Sequence, residues 1–326
     1  MTGVDSPKPG FLRASTVLCV VAGLCLLAAR VVAEAPVTAV LYPDIREPFR
    51  SVFLSIAKGI EGVGVNVRLR AVTNEESIED IRDWLRQNRV QAVIALGSRG
   101  QSLSDELSST VPVVLGAVHM SPSLQGKQYY GISLSPDPTL LLQRLRELAP
   151  RVTRVTLVYQ KDRDYWMVER GIQPAQRMGF TLNAIPVEKL QEAAAKYREI
   201  FGSLNSETDA LWLSQDSAVL DEQAVLPMIL QEAWDRKLIV FSSNPSHVKR
   251  GILFAMYPDN ERMGRSLGAM AIRVRDRDAA WSASVPKGML LLQDLAAAFN
   301  VRTAGHLGIR YTKDTLNEFD LVFPMM

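Results

Sequence analysis

Cysteine and histidine are scarce in this sequence. The two cysteines, Cys19 and Cys25, both lie within the first 33 residues. If that segment is removed, the remaining chain has no thiol, which excludes disulfides, thiol catalysis and cysteine metal sites. The three histidines, His119, His247 and His306, lie far apart, and none belongs to a metal-spaced pair. We therefore predict no metal site.

Motifs for catalysis and nucleotide binding are also missing. Residues 97–100 read GSRG, which is not the GxSxG elbow of a serine hydrolase, and no Gly-Lys-Ser/Thr of a phosphate-binding loop follows. The stretch GVGVNV at 62–67 lacks the third glycine of a dinucleotide fingerprint. We expect a protein that needs no cofactor and is not an enzyme. An exported α/β enzyme with an unfamiliar site is the remaining alternative.

The sequence lacks a hydrophobic run long enough for a membrane span. The apolar run Thr16–Ala29 falls short of the roughly 20 residues that cross a bilayer. Lys8 and Arg13 precede this run, and a small residue at Ala33 suits cleavage, which together is the layout of a secretory signal peptide. We predict that residues 1–33 are cleaved and that the protein is periplasmic. An uncleaved membrane anchor is the alternative.

The sequence has nearly equal numbers of basic and acidic residues. The full chain has 37 Lys and Arg against 35 Asp and Glu, and removal of residues 1–33 leaves 34 of each sign. Such a balance gives poor support to a nucleic-acid partner. At 326 residues, of which 47% are hydrophobic, the chain is too long for one ordinary core and suits two lobes.

From Val37 onward, short apolar, β-branched runs alternate with longer segments of helical period. This pattern is typical of βαβ units and parallel sheets. The sequence predicts an α/β fold of two Rossmann-like lobes with a hinge, and the cleft between the lobes is the expected binding site. The predicted division is a signal peptide at 1–33, an N-terminal lobe at 34–149 completed by about 256–280, a C-terminal lobe at 150–255, and a last strand, helix and tail at 281–326.

Ligands of parallel sheets meet the loops at the carboxyl ends of the strands, so these loops are where a site is expected. The candidate loops are PDIREPF (43–49), GSRGQS (97–102), AVHMSPS (117–123), QKDRDYW (160–166), SQDSAVLD (214–221) and SSNPSH (242–247).

Two loops carry alternative interpretations that the sequence leaves open. Asp216 follows the apolar strand ALWL, where its carboxylate could pair with a ligand amine in a partly dry cleft. Capping the next helix is its other role, although Asp221 is better placed for it. Ser98 opens a predicted helix whose free amides could hold a carboxylate or phosphate, or it merely caps that helix.

The remaining loops supply further candidates. Asp162 and Tyr165 could form a ligand lid, or belong to a solvated turn. His119 stands at a strand end and could reach the cleft, and Asn244 follows a later strand.

The first loop is stiffened by Pro43 and Pro48, and Asp44 can hydrogen-bond its own backbone. Because this loop follows the first strand, we expect it at the mouth of the cleft, with Arg46 available to a ligand anion.

The second half of the chain resembles a known family. The succession DALWLSQDSAVL, LIVFSSNPSHVKRGILFAMYPDNERMG and LLQDLAAAFNVRTAGHLGI is similar to ABC-transporter substrate-binding proteins of the tryptophan and tyrosine type. The resemblance is strongest from about Asp209 onward. The features that carry it are Asp216, Val248, Gly251, Asp259, Gly264, Asn300, Ala304, Leu307 and Gly308.

The resemblance implies a type I periplasmic binding fold that closes over a small polar ligand, such as an amino acid or related carboxylate, and presents it to a membrane permease. By position it implies ligand contacts at Asp44 to Arg46, at Ser98 with Arg99, and at Asp216. We expect a monomer. A periplasmic sensor that partners a membrane histidine kinase is the alternative output of the same fold, since the charged first loop departs from the family pattern.

Overall fold

The computed structural model of the protein describes residues 1–3, 35–120, 127 and 129–324. The predicted signal peptide, with Cys19 and Cys25, therefore lies almost wholly outside the described residues. The chain divides into a first unit, Met1–Ala35, and a second unit, Pro36–Met326. Every described strand and helix belongs to the second unit, and none of these described helices is long and apolar enough to cross a membrane.

Strands and helices alternate along the second unit. The strands are β1 (Val37–Pro43), β2 (Asn66–Val72), β3 (Val90–Leu96), β4 (Val113–Val118), β5 (Tyr130–Pro136), β6 (Arg154–Gln160), β7 (Thr181–Val187), β8 (Asp209–Leu213), β9 (Ile239–Ser242), β10 (Phe254–Pro258), β11 (Gly288–Leu292), β12 (Leu295–Asn300) and β13 (Leu321–Phe323). The helices are α1 (Phe49–Glu61), α2 (Ile78–Gln87), α3 (Gly97–Leu107), α4 (Pro138–Leu148), α5 (Lys161–Arg177), α6 (Leu190–Phe201), α7 (Leu226–Arg236), α8 (Pro245–Arg250), α9 (Asn260–Arg275), α10 (Ala279–Ser284), α11 (Val301–His306) and α12 (Lys313–Asn317).

The first lobe is built on a six-stranded sheet of order β2-β1-β3-β4-β5-β11, in which all neighbouring strands are parallel. Successive side chains of a strand point to opposite faces. In β1, Val40 packs in the core beside α1 and α9, whereas Leu41 packs on the other face beside α2 and α3. A sheet buried on both faces needs strands that are apolar throughout, as β1 and β3 are.

The second lobe is built on a seven-stranded sheet of order β7-β6-β8-β9-β10-β12-β13. Only β12 runs against its neighbour β10 among the described strand pairs; the other pairs are parallel. Trp212 of β8 packs on one face with residues of α5, and Leu211 and Leu213 pack on the other face with residues of α6 and α7. The predicted fold of two mostly parallel α/β lobes is confirmed.

Helix starts are set by short polar side chains. Ser77 caps α2 by accepting the N–H of Asp80 at 3.1 Å. Asp137 caps α4 in the same way and is followed by Pro138, whose fixed φ suits the first helical position. Asp259 caps α9. These caps satisfy amides that have no partner within their helix, so the chain turns into a helix directly after each loop.

Helices α1 and α9 approach each other very closely because glycines line their contact. A Cβ built on Gly264 would lie 2.0 Å from the carbonyl oxygen of Ile56. A Cβ on Gly59 would likewise lie 2.0 Å from the carbonyl oxygen of Glu261. This contact attaches α9 to the first lobe, although α9 follows a strand of the second.

The chain crosses between the lobes after β5, after β10, and between β11 and β12. Hydrogen bonds tie these crossings together. Gln293 donates its Nε2 to Oδ2 of Asp137 at 2.6 Å, and the N–H of Asp259 donates to the carbonyl oxygen of Asp294 at 2.9 Å. The crossings therefore form one connected hinge region.

The structure corrects several details of the sequence interpretation. Strand β5 was not predicted. The segment 286–309, expected to be a strand and then a helix, contains β11 and β12, which lie in different sheets, before the short α11. Prolines within two segments of helical period, Pro174 and Pro227, predict kinks or early helix ends. Pro227 instead lies in the first turn of α7, where its missing N–H has no intrahelical role. Pro174 lies inside α5, which nevertheless continues to Arg177.

Candidate functional site

A cavity of about 310 Å³ lies between the two lobes, at the carboxyl ends of strands from both sheets. We call it the inter-lobe cavity. The first lobe lines it with residues that follow or end β4 and β5, namely His119, Met120, Ser135 and Pro136. The second lobe lines it with residues at the start of α5, at the end of β8, and after β8 and β9, namely Arg163, Asp164, Trp166, Met167, Trp212, Leu213, Ser214, Gln215, Asp216, Ser217 and Ser243.

On the first lobe, an irregularity at the end of β4 sets the direction of the loop. The register between β4 and β5 shifts between Gly116 and Val118, and Ala117 between them has a φ of 55°. Left-handed backbone is uncommon for a residue with a Cβ, so this bulge is a local strain that the surrounding sheet maintains. The chain then reaches Met120, whose N–H donates to Oγ of Ser135 at 2.9 Å.

On the second lobe, α5 begins immediately after β6 because the side chain of Gln160 caps it. Oε1 of Gln160 accepts the N–H of Asp162 at 2.8 Å and the N–H of Arg163 at 2.7 Å. With no intervening loop, the first turns of α5 stand at the sheet edge. The helical period then directs residues 163, 164 and 167 to the cavity side.

Two carboxylates, Asp164 and Asp216, are joined through Ser214. Oγ of Ser214 donates to Oδ2 of Asp164 at 3.0 Å and accepts the N–H of Asp216 at 3.0 Å. Burial, and then the negative charge of Asp216, raise the pKa of Asp164 from its ordinary value to about 6. Asp164 therefore exchanges its proton near neutral pH, which is common at functional sites and rare elsewhere.

Asp216 presents an unsatisfied oxygen to the cavity. Its side chain is only 4% exposed, and Oδ1 accepts the N–H of Ala218 at 2.9 Å. Oδ2 lies 3.3 Å from Nε of Arg163 but accepts no hydrogen bond from any described residue. Nε1 of Trp166 is likewise buried without a described acceptor. Buried polar atoms are nearly always paired, so these two atoms, on residues that line the cavity, are candidates for hydrogen bonds with a ligand.

His119 contributes a neutral imidazole. Burial lowers its pKa, the positive charge of Arg163 lowers it further, and Asp216 opposes both. A neutral imidazole offers one donor and one acceptor to a ligand. Within the described residues, no group of three His, Cys, Asp or Glu side chains is arranged to hold a metal ion.

The structure brings together only part of the predicted set. His119 and Asp216 line the inter-lobe cavity. Asp162 and Tyr165 belong to the same helical turn as the lining residues but are not among them. Asn244 caps α8 by accepting the N–H of Ser246 at 2.9 Å and donates its Nδ2 to Glu222, while the neighbouring Ser243 lines the cavity.

The candidates of the first lobe lie elsewhere. Ser98 lines a separate, shallower cavity with Lys127 and Tyr129. The guanidinium of Arg99 donates to the carbonyl oxygens of Thr73 and Glu76, at 3.0 and 2.6 Å, and so holds the connection between β2 and α2.

Asp44 and Arg46 are exposed beyond the end of β1 and do not line the inter-lobe cavity. The N–H of Asp44 donates to the carbonyl oxygen of Val72 at 3.0 Å.

The loop sequences contained most of the residues that the prediction missed. Arg163, Asp164 and Trp166 stand in QKDRDYW, and Ser214 in SQDSAVLD, but choosing among neighbours requires the exact start of α5. Ser135 was missed because β5 was missed. The signal that could have found it is the alternation in YGISLSP, followed by Asp137 and Pro138 as a helix start.

Comparison with known proteins places these observations in context. The family model of the ABC transporter substrate binding protein matches residues 57–318. No curated protein matches the sequence.

Solved structures with this fold include three bacterial proteins. The ABC domain from Streptococcus pneumoniae in complex with L-Trp is 18% identical, covers 89% of this chain and 100% of its own, and has a TM-score of 0.54. A ligand-free, open substrate-binding protein with adhesive properties from Clostridium difficile is 15% identical, covers 89% and 99%, and has a TM-score of 0.61. A conserved domain protein from Vibrio cholerae is 16% identical, covers 89% and 100%, and has a TM-score of 0.50. At these identities the likeness establishes the fold alone.

Proposed function

Because the chain belongs to the family of ABC transporter substrate-binding proteins, we propose that it is an exported solute-binding protein that captures a small polar ligand in the inter-lobe cavity. The observation that carries this proposal is Oδ2 of Asp216, a buried oxygen of a cavity-lining residue that lies 3.3 Å from Nε of Arg163 but has no described hydrogen-bond donor. A protein that used Asp216 only for its own stability would give this oxygen an internal hydrogen-bond donor, since a buried carboxylate oxygen without a donor destabilises the folded state.

The ligand is captured by closure of the lobes over it. This is supported by the position of the crossings at Asp137, Asp259 and Gln293 between the two sheets, and by a cavity that residues of both lobes line. Amino acids are the first class to test, since the amine of such a ligand would meet Asp216, and related carboxylates are tested beside them. The Streptococcus pneumoniae protein was solved with L-Trp, which makes that amino acid a first probe.

Export and delivery complete the proposed role. The basic, apolar and small-residue segments of residues 1–33 direct the chain to the periplasm. There it would deliver its ligand to the permease of an ABC transporter, which is the partner that its family implies.

A ligand screen with an isosteric variant tests this role. Thermal unfolding of the purified protein is measured with a library of amino acids, carboxylates, amines and sugars. A true ligand at 100 times its Kd should stabilise the folded state by about 2.7 kcal/mol. Asp216→Asn keeps an oxygen for the N–H of Ala218 and should remove this stabilisation, whereas Glu169→Gln, an exposed change on α5, should retain it.

If the ligand stabilises Asp216→Asn as much as the wild type, Asp216 is not part of the ligand site. The absence of stabilisation by any compound in the library would contradict the function.

A further inference from the structure

We propose that the inter-lobe cavity selects a ligand of net charge +1, an organic amine or a basic amino acid, and that Arg163 is the internal counter-ion that this ligand displaces from Asp216. The inference rests on the proposed function and narrows its ligand class. It follows from the charges that line the cavity and from the way Arg163 and Asp216 are held.

The ionisable side chains that line the cavity include one more negative charge than positive charge. Among the described lining residues, the ionisable side chains are Arg163, Asp164, Asp216 and His119. The sequence between Met120 and Lys127 contributes no ionisable side chain. With His119 neutral and both carboxylates ionised, the lining carries a net charge of −1. A ligand of charge +1 neutralises it, whereas a zwitterion leaves it unchanged and a carboxylate makes it more negative.

Arg163 and Asp216 are held in very different ways. The side chain of Asp216 is 4% exposed and anchored through Oδ1 and its own N–H, while the side chain of Arg163 is 67% exposed. The two are 3.3 Å apart, yet Oδ2 of Asp216 accepts no hydrogen bond from a described residue. Asp216 is therefore a fixed acceptor, and Arg163 is a solvent-facing cation that can swing aside at little energetic cost.

When Arg163 moves aside, the ammonium group of a ligand can take its place beside Asp216. It offers three donors on a compact charge, so it can reach Oδ2 of Asp216 and share the second carboxylate, Asp164, which Ser214 joins to the same loop. Hydrogen bonds between a charged donor and a buried carboxylate are the strong ones. Trp166 and Trp212 line the same cavity, and indole faces attract cations as well as apolar groups.

The cavity offers a ligand carboxylate a much weaker partner than it offers an ammonium group. The one cation of the described lining is the exposed Arg163, whose charge is screened by solvent. If a zwitterion bound its carboxylate to Arg163, Arg163 would no longer neutralise Asp216. The single ammonium group of the ligand would then face the negative charges of both Asp164 and Asp216. The second carboxylate, Asp164, therefore makes the cavity prefer an amine to the amino acid with the same side chain.

Protonation should modulate this selectivity. The groups that face Asp164 are Asp216, Arg163 and the hydroxyl of Ser214, and those that face His119 are Arg163 and Asp216. A cation that binds next to Asp164 favours its ionised form, so binding expels a proton whenever Asp164 is protonated beforehand. Amine affinity should then fall as the pH is lowered below about 6.

Matched ligand series test the proposal with calorimetry on the full-length protein at pH 7.5. The first series is tryptamine, L-tryptophan and indole-3-propionate; the second is phenethylamine, L-phenylalanine and 3-phenylpropionate; the third is n-pentylamine, L-norleucine and hexanoate, with L-lysine added as an amino acid of net charge +1. Within a series that binds, the net cation should bind at least about tenfold more tightly than the zwitterion, and the anion should not bind. A zwitterion or an anion that binds as tightly as the matched cation would overturn the inference.

Failure of the inference differs from failure of the function. If the cations do not bind but a sugar, a neutral compound or an acid from the ligand library does, and Asp216→Asn abolishes that binding, the solute-binding role stands and the inference is wrong. If no compound of any charge binds, both fail.

Variants of the counter-ion give the sharpest comparison. Arg163→Gln should tighten the binding of the cation by up to about fivefold, because the exposed side chain that competes for Asp216 is gone. Asp164→Asn should weaken cation binding and remove its pH dependence between pH 5 and 7, and Glu169→Gln should change neither. Weaker cation binding in Arg163→Gln, with the fold intact by circular dichroism, would show that Arg163 holds the ligand and would overturn its role as counter-ion.

Discussion

Ser214 donates a hydrogen bond from Oγ to Oδ2 of Asp164, 3.0 Å away, and so joins the end of β8 to the first turn of α5. The bond stabilises the ionised carboxylate, whereas burial and the charge of Asp216 favour the protonated one. The balance leaves Asp164 with a pKa of about 6 in a cavity that both lobes line.

Removal of the hydroxyl should raise the pKa of Asp164 further. In Ser214→Ala the ionised carboxylate loses its donor, so its pKa should move above the value of about 6 found with the hydroxyl present. The titration of the side-chain carboxyl carbon of Asp164, followed by NMR, measures this. Ser217→Ala, in the same cavity lining, serves as the control and should leave the titration where it is. A lower pKa in Ser214→Ala would contradict the described hydrogen bond.

Asp164 should make the folded protein more stable in mild acid than at neutral pH, as far as this group alone is concerned. Its pKa is about 6 in the folded protein and near 3.8 in an unfolded chain, so the folded state binds the proton more tightly. The stabilisation is complete below about pH 4 and is lost as the pH rises through 6.

The variant Asp164→Asn isolates this contribution. It should be more stable than the wild type by about 1 to 2 kcal/mol at pH 7.5, and the difference should vanish below pH 4. Urea unfolding across this pH range measures it. Both proteins retain His119, whose own titration cancels in the difference, and Asp162→Asn provides an exposed control on the same helix. A variant less stable than the wild type at pH 7.5 would contradict the burial of a charged Asp164.

The contact between α1 and α9 should not tolerate a methyl group. In Gly264→Ala, the Cβ would lie 2.0 Å from the backbone carbonyl oxygen of Ile56, which no side-chain rotation can relieve. We expect a loss of about 1 to 3 kcal/mol in the free energy of unfolding. Gly305→Ala, in the short α11 with no atom within 4 Å of the added Cβ, is the control and should be neutral or slightly stabilising. Equal stability of the two variants would show that α1 and α9 lie further apart.

Loss of the cap on α5 should affect both stability and binding. Gln160→Ala frees the amides of Asp162 and Arg163, at a cost of about 1 kcal/mol. Because the same turn carries the charged residues of the inter-lobe cavity, ligand affinity should fall as well. Ser77→Ala removes the cap of α2 and should lower stability by a similar amount without changing affinity. If both variants bind ligand alike, the start of α5 does not position the site.

Most of the strands could be predicted because their side chains are buried on both faces, and such strands appear as short apolar runs between polar loops. The exceptions are instructive. β5 (YGISLSP) contains glycine, serines and proline, which are typical of loops, and these hide its alternation. The alanines of β12 favour a helix by propensity, but β12 pairs with β10 in the core of the second sheet, and tertiary packing overrides a weak local preference.

The candidate site was predictable at the level of loops but not of side chains. SQDSAVLD and QKDRDYW were recognised because the carboxyl ends of parallel strands share one sheet edge. Asp162 and Tyr165 were preferred to Arg163 and Asp164 because the phase of α5 depends on where Gln160 caps it. The first loop was predicted at the mouth of the cleft, and its exposed Arg46 is not among the residues that line the inter-lobe cavity.

The sequence by itself determined the α/β alternation, the lack of metal-spaced histidines and of nucleotide-binding motifs, and Asp216 as a carboxylate at a strand end, because each depends on local composition and periodicity. Only the tertiary structure decided that β11 pairs in the sheet of the first lobe, and that Asp164, Asp216 and Arg163 meet at one cavity. The reason is physical: burial, proximity of charges and the competition between Arg163 and a ligand for Asp216 are properties of positions in space, which chain order does not specify.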